Sequence, residues 1–321
     1  MQLINNFQKT LICVVVSCSL FLVLRSNHLD ITASTFANTD VSEMIESDNS
    51  NSIWSSISHQ FQLDHKTQNA QVQAEIRELL ADQKKLYQIL QAAAPYIYFI
   101  HEKAKEKGLP GEIALIPVIE SEFNPNDHSV KGATGLWQLM SVTASELGVK
   151  VKSGYDGRKN VVSSTNAALA YFKDLGNDFK GDWYLAIAAY NCGQGRIASA
   201  VKKTGSHDFW DLPLSHETRC YVPRLLAVAA IIENPKKYGV QLPSITNKPY
   251  FTQIKVTKPV NLPKLANVSG VSADTLRVLN PDYSHDKTPP KSKDGAYALL
   301  VPVDNAAVIK NHLQKTNTVV L

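Results

Sequence analysis

Between residues 110 and 235, apolar residues recur at helical spacing in one short segment after another, and no stretch alternates as a strand would. The segments are "GEIALIPVIESEF", "SVTASELG", "NVVSSTNAALAYFKDLG", "DWYLAIAAYN", "QGRIASAVKKTG" and "SHETRCYVPRLLAVAAIIENP". Ser141 and Asp182 stand where N-caps belong, and Gly148 where a helix stops. Short helices joined by short connections bury their apolar stripes only against one another, which predicts a compact all-α domain. Upstream, Ile76, Leu79, Leu80, Leu86, Ile89, Leu90, Ile97 and Ile100 extend the helical pattern over residues 53–108, with Pro95 opening or kinking a helix.

After Tyr238 the pattern changes. "YFTQIKVTK" and "YALLVPVD" alternate and carry β-branched residues, so they read as strands. Two helical patches, "LPKLANVSGV" and "SADTLRVLNP", lie between them. The expected architecture is therefore mainly α: a helical domain over 109–240, then a small α+β module of strand, helix, helix, strand over 250–305, then a tail, 306–321.

The first 25 residues hold Lys9, an apolar run from Thr10 to Leu24, and Arg25. That run has the length of a signal segment and is short of the roughly 20 residues of a spanning helix. "VVSC" offers Cys18 as a site of lipidation, while the apolar residues that continue past it favour an uncleaved anchor. Residues 26–52, rich in Ser, Asn, Thr and Asp, read as a flexible tether. Export leaves Cys192 and Cys220 in an oxidising compartment, either as a disulfide or as two thiols packed like small apolar groups. The charge of +4 contains no dense basic block, which argues against nucleic acid. No His and Cys spacing suits zinc, and no cofactor or metal is expected.

One position in the helical domain asks for chemistry. If residues 112–120 are helical, Glu120 sits in the last turn beside the inward face of Ile113, Ile116 and Ile119. Burial and the negative end of the helix dipole both raise its pKa, as a general acid requires. Glu122 points elsewhere, toward water. Alone, a Glu at a helix end is usually structural, and the spacing does not decide the matter.

Its company does. Glu120-Ser121 with Phe123-Asn124-Pro125, Gly-Leu-Trp-Gln at 135–138, Ala-Tyr-Asn at 189–191 followed by Gly193, and Glu217 with Tyr221 resemble, in that order, the lytic transglycosylase family. That family has a lysozyme-like helical domain (SLT domain) shared with goose-type lysozyme. The flanks "APYIYFIHEKAKEKGLPGEIALIPVIESEF" and "YGVQLP…YFTQIKV" look like the membrane-bound lytic murein transglycosylase D type. The resemblance spans residues 53–305, and its last part, 250–305, resembles a divergent LysM-like module.

The resemblance implies an enzyme that cuts the bond between N-acetylmuramic acid and N-acetylglucosamine in peptidoglycan. Glu120 would act as acid and then as base toward the C6 hydroxyl, closing a 1,6-anhydro ring. It assigns substrate contacts to Ser129, Gln138, Tyr190, Asn191 and Glu217, and to Tyr221 the duty of holding Glu120. It also implies a periplasmic, membrane-attached place in a Gram-negative envelope. Read from the residues alone, Tyr190 is a core residue with a wet hydroxyl, Asn191 is a helix C-cap, and Trp137 is packing. No partner carboxylate for Glu120 stands out, because Asp127, Asp156 and Asp182 lie in turn or capping contexts. That fits use of the sugar's own N-acetyl group as nucleophile. The alternatives are a muramidase that uses water and a peptidoglycan-binding scaffold without activity. Prolines 259 and 263 stiffen the module's first loop, so packing on the helical domain is expected of it ahead of independent sugar binding.

Overall fold

The computed structural model describes residues 51–152, 155–258, 260–283, 297–316 and 318, which fall in one compact unit. The expected anchor over 1–25, Cys18 and nearly all of the tether lie outside the described residues. Asn51 and Ser52, assigned to the tether on composition, belong to the fold. The Asn51 carbonyl accepts from Asn247 N–H, and Ser52 pairs with Thr246 while its hydroxyl caps the first helix.

The N-terminal region supplies α1 (Ile53–Ser58), α2 (Ala70–Ala81), α3 (Gln83–Ala92) and α4 (Ile97–Glu106). Asn69 and Asp82 cap α2 and α3 by accepting backbone N–H groups, which satisfies donors that a helix start leaves orphaned. A 3-10 turn over Gly111–Leu115 leads into α5 (Ile116–Ser121). The single helix expected over 112–120 is thus two elements. Pro117 has no N–H, and its ring opposes a continuous α-turn back to Ile113, so the chain tightens before α5 begins.

The helical domain continues with α6 (Ser141–Glu146), α7 (Val161–Asp178), α8 (Trp183–Cys192), α9 (Gln194–Thr204), α10 (His216–Glu233) and α11 (Pro235–Tyr238). Asn160, Asp182 and Ser215 cap α7, α8 and α10. Ser141 is the first helical residue of α6, and Met140 takes the cap position without a side-chain bond. A two-residue hairpin, β1 (Val151–Lys152) with β2 (Tyr155–Asp156), interrupts the expected all-helical run. It is too short to show as alternation.

Helix α10 is the axis of the domain. From Val222 to Ile232 every side chain except Arg224 is buried, the mark of a helix enclosed on all sides. It packs against α1, α2, α5 and α8. A buried carboxylate fixes the N-terminal region beneath it. Glu112, wholly enclosed, accepts the N–H groups of Gln62 and Leu63 and lies 3.1 Å from His65 Nε2, while His65 Nδ1 lies 3.2 Å from Glu233. One side chain thereby satisfies a loop that would otherwise bury unpaired donors.

The module consists of β3 (Phe251–Val256), α12 (Leu262–Ser269), α13 (Ala273–Leu279) and β4 (Tyr297–Pro302), the strands antiparallel with Ile254 opposite Leu299. A further helix, α14 (Ala306–Lys315), stands where a tail was expected. Its Ile309 and Leu313 are buried in the module's own core with Val256, Leu276 and Val301. The module packs on the helical domain. Phe251 meets Phe99 at 5.4 Å between ring centroids, Tyr96 donates to the Val278 carbonyl at 2.9 Å, and Leu279 and Leu300 join the larger core. At the same seam Asn160 Nδ2 donates to the buried Asp282 at 3.0 Å.

Candidate active site

Glu120 lies in the last turn of α5, and the chain around it is held hard. Glu122 and Phe123 follow with φ of 52° and 59°, a left-handed conformation that costs non-glycine residues about 1 kcal/mol or more each. Burial of the Phe123 ring and the bond from Phe123 N–H to the Pro117 carbonyl hold that turn in place. Ser121 Oγ donates to the Leu136 carbonyl at 3.0 Å, tying the end of α5 to the 135–138 segment. Glu122 is exposed and pairs with Lys85 at 2.7 Å, as its position after the helix predicts.

Glu120 is half-buried by surface, with its carboxyl crowded by protein. Tyr221, one turn into α10 from Glu217, donates its hydroxyl to Glu120 Oε1 at 2.6 Å. Desolvation pushes the carboxyl up to about 7. The Tyr221 hydrogen bond works against this, and the Glu217 charge adds to it. Because the phenol donates to Oε1, the acid's own proton belongs on Oε2. Tyr190 and Tyr221 are both held well above the usual tyrosine range, first by burial and then by the charge of Glu120, so the three groups share one enclosure.

Tyr190, near the end of α8, donates to the Trp137 carbonyl at 2.7 Å, and its ring stacks on Phe172 at 4.3 Å. Its hydroxyl is therefore bonded to protein and is not the water-facing tip the isolated residue suggests. Trp137 is fully buried and donates to Thr165 Oγ1, in keeping with packing. Asn191 lies inside α8, which ends at Cys192 with Gly193 (φ 95°) as its C-cap. The cap reading of Asn191 is thereby replaced. Its Oδ1 accepts from Thr218 Oγ1 at 2.9 Å, which orients the amide.

The 128–139 loop carries the other expected contacts. Ser129 Oγ accepts from Ala133 N–H at 3.0 Å, and Gln138, at φ 46°, donates its amide to the Gly135 and Asp127 carbonyls. Both side chains thus brace the loop they belong to. Gly135 is obligatory: at φ 86° a Cβ would meet the Arg158 carbonyl at 2.2 Å. Glu217 is exposed at the start of α10 and reaches Lys131 across the loop tip at 3.4 Å.

Arg158 was not singled out by sequence. Buried and forked onto Asp156, it donates to the Gly132 and Leu139 carbonyls and so pins the loop at its turn and at its far end. No local motif announces it. Thr218, which aims Asn191, was also missed, although it neighbours Glu217. Cys192 and Cys220 are both free thiols and half-buried. Burial raises each of them, so neither is poised as a thiolate. Among the described residues, no cluster of three or more His, Cys, Asp or Glu is placed to hold a metal, and no helix is long and apolar enough to cross a membrane.

Comparison with known proteins places this geometry in a family. Residues 97–213 match the transglycosylase SLT domain, and residues 250–318 match the LysM-like domain of lytic transglycosylase MltD, the latter including α14. The membrane-bound lytic murein transglycosylase D of Escherichia coli (strain K12) is 34% identical over 250 residues, 77% of this chain and 55% of that protein. This chain thus spans about half the length of that relative. A protein of Alteromonas sp. (strain M-1) named for tributyltin chloride resistance is 37% identical over 167 residues, 51% of this chain and 79% of its own. A solved lytic transglycosylase Slt of Pseudomonas aeruginosa, an inactive mutant, shares 33% identity over 44% of this chain and 24% of its own, at a TM-score of 0.36, a likeness of shape too low to argue from. With the SLT domain and the LysM-like module matched in order, and a lytic transglycosylase 34% identical over 77% of this chain, the chain belongs to the family of SLT-domain lytic transglycosylases.

Proposed function

We propose that this chain is a peptidoglycan lytic transglycosylase that cuts between N-acetylmuramic acid and N-acetylglucosamine without water, with Glu120 as its single acid and base. The observation that carries the reading is the Glu120 carboxyl, raised to about 7 by burial and held by Tyr221 at 2.6 Å. A group poised there holds its proton until a leaving group needs it and can accept one afterwards.

In the first step Glu120 Oε2–H protonates the glycosidic oxygen as the C1–O bond breaks. The N-acetyl carbonyl oxygen of the muramyl sugar bonds to C1 and forms an oxazolinium. In the second step the Glu120 carboxylate takes the C6 hydroxyl proton, the C6 oxygen bonds to C1, and the oxazolinium opens to leave a 1,6-anhydro end. Among the described residues, Glu217 is the other carboxylate whose charge acts on Glu120. Glu217 is exposed and turned to Lys131, in a position to touch substrate. Tyr190 supplies a polar group beside the acid, Thr218 aims the Asn191 amide, and Ser129 and Gln138 brace the 128–139 loop. A location in the envelope fits a cell-wall substrate, and relatives named as membrane-bound support attachment to a membrane.

Digestion of purified sacculi by the wild type and by Glu120→Gln tests the reading. Soluble muropeptides should appear with the wild type and be nearly absent with the variant. Undiminished release by the variant removes Glu120 from the mechanism, and no release by the wild type favours a binding scaffold.

A further inference from the structure

The two helices that hold Glu120 also wall a second groove. On α5, Val118 and Ile119 turn from the acid toward α2 and α3, where Leu79, Leu86 and Ile89 complete an apolar floor. Arg224, one turn along α10 from Tyr221, stands at its edge. Two adjoining cavities of about 240 and 520 Å³ share Asp82, Lys85, Ile89 and Glu122, so the groove runs on past the end of α5. Together they fall in the range of sites that hold small ligands.

The lining speaks to the class of ligand. No aromatic side chain lines either cavity, so a sugar ring has no flat platform to lie on. Charges of both signs ring the apolar floor instead. Arg224 pairs with Glu75 at 2.8 Å and Lys85 with Glu122 at 2.7 Å, and Glu78 and Lys84 stand exposed beside them. The Lys85–Glu122 pair is about half exposed on both sides, and such surface pairs exchange readily for a ligand's charges. An apolar floor with separate anionic and cationic edges suits a short peptide that carries free carboxylates and an amine. Helices α2 and α3 precede the segment matched as the SLT domain.

We propose that the groove between α2, α3 and α5 takes the short peptide borne by the muramyl sugar at the cut site, so that the enzyme prefers peptide-bearing strands. The proposal rests on the reading above that the substrate is peptidoglycan. The peptide leaves the sugar next to the scissile bond, and α5 carries the acid on one face and the groove on another. Four extended residues span about 13 Å, a length suited to cavities of this size.

The test compares the full chain with a Glu78→Lys/Lys84→Glu double variant. Both residues are exposed, and a thermal melt checks that the fold is kept. Calorimetric titration with the free tetrapeptide, released from sacculi by an amidase, should show saturable binding by the wild type and binding about fivefold to tenfold weaker in the variant. The ratio of kcat/KM on peptide-bearing strands to that on amidase-stripped strands should fall by the same factor. Equal peptide affinity in the two proteins, no saturable binding by the wild type, or an unchanged ratio overturns the proposal. If the wild type cuts neither strand, the proposed activity fails, and the titration still decides the groove.

Discussion

Glu120→Gln should abolish turnover and at the same time make the protein more stable at neutral pH. The carboxyl is raised from its ordinary value of 4.5 to about 7 in the fold, chiefly by desolvation. Below pH 4.5 it is protonated in folded and unfolded chains alike and contributes nothing to the pH dependence. As pH rises from 4.5 toward 7, the unfolded chain releases the proton and the folded one keeps it, so stability is lost. Above 7 both are ionised and the loss is constant. At about 1.36 kcal/mol per unit, the folded enzyme carries a penalty of about 3 kcal/mol above pH 7. Gln has nearly the same shape and bears no charge, and its side-chain carbonyl still accepts from Tyr221. Thermal unfolding followed by circular dichroism at pH 4 and pH 8 reads the difference. The variant should melt about 5–7 °C higher than the wild type at pH 8 and within a degree or two of it at pH 4. Activity should fall by about 10²–10⁴. Equal melting at pH 8, or a gain that is the same at both pH values, would refute the claim that burial holds this acid neutral.

Three further outcomes follow from the same contacts. Tyr221→Phe removes the hydrogen bond that lowers the Glu120 pKa, so the carboxyl should titrate higher and the basic limb of the activity profile should move up, with kcat reduced about tenfold; a pH–rate series checks it. Glu112→Ala strands two loop N–H groups and His65 in the interior, and urea denaturation should show a loss of about 2–4 kcal/mol with the m-value unchanged. Gly135→Ala drives a Cβ into the Arg158 carbonyl at a left-handed position; it should lower the melting temperature and cut kcat together, because the loop that carries Gln138 must shift.

Much of the fold was legible because its causes are local. Asp182 caps α8 where the sequence places a cap, and the 250–302 module has its two strands and two helices where β-branching and spacing put them. Glu120 stands in the last turn of its helix as the apolar spacing requires. What escaped depends on tertiary context. Helix α14 has only two core residues, Ile309 and Leu313, on an otherwise solvated decapeptide, too thin a stripe to separate from a tail. The two-residue strands at 151–156 are shorter than any alternation test. Arg158 looks like a surface residue until the loop carbonyls it binds are brought to it. Asn191 and Tyr190 were named by motif, but the partners that orient them, Thr218 and the Trp137 carbonyl, are visible only in the fold.

The most direct test of the central claim is the fate of solvent oxygen at the cut. Sacculi digested in water enriched with heavy oxygen and analysed by mass spectrometry should yield muramyl ends that lack the label and are lighter than reducing ends by one water, because the C6 hydroxyl closes the ring. Labelled reducing ends would show that water is the acceptor and would contradict the mechanism assigned to Glu120.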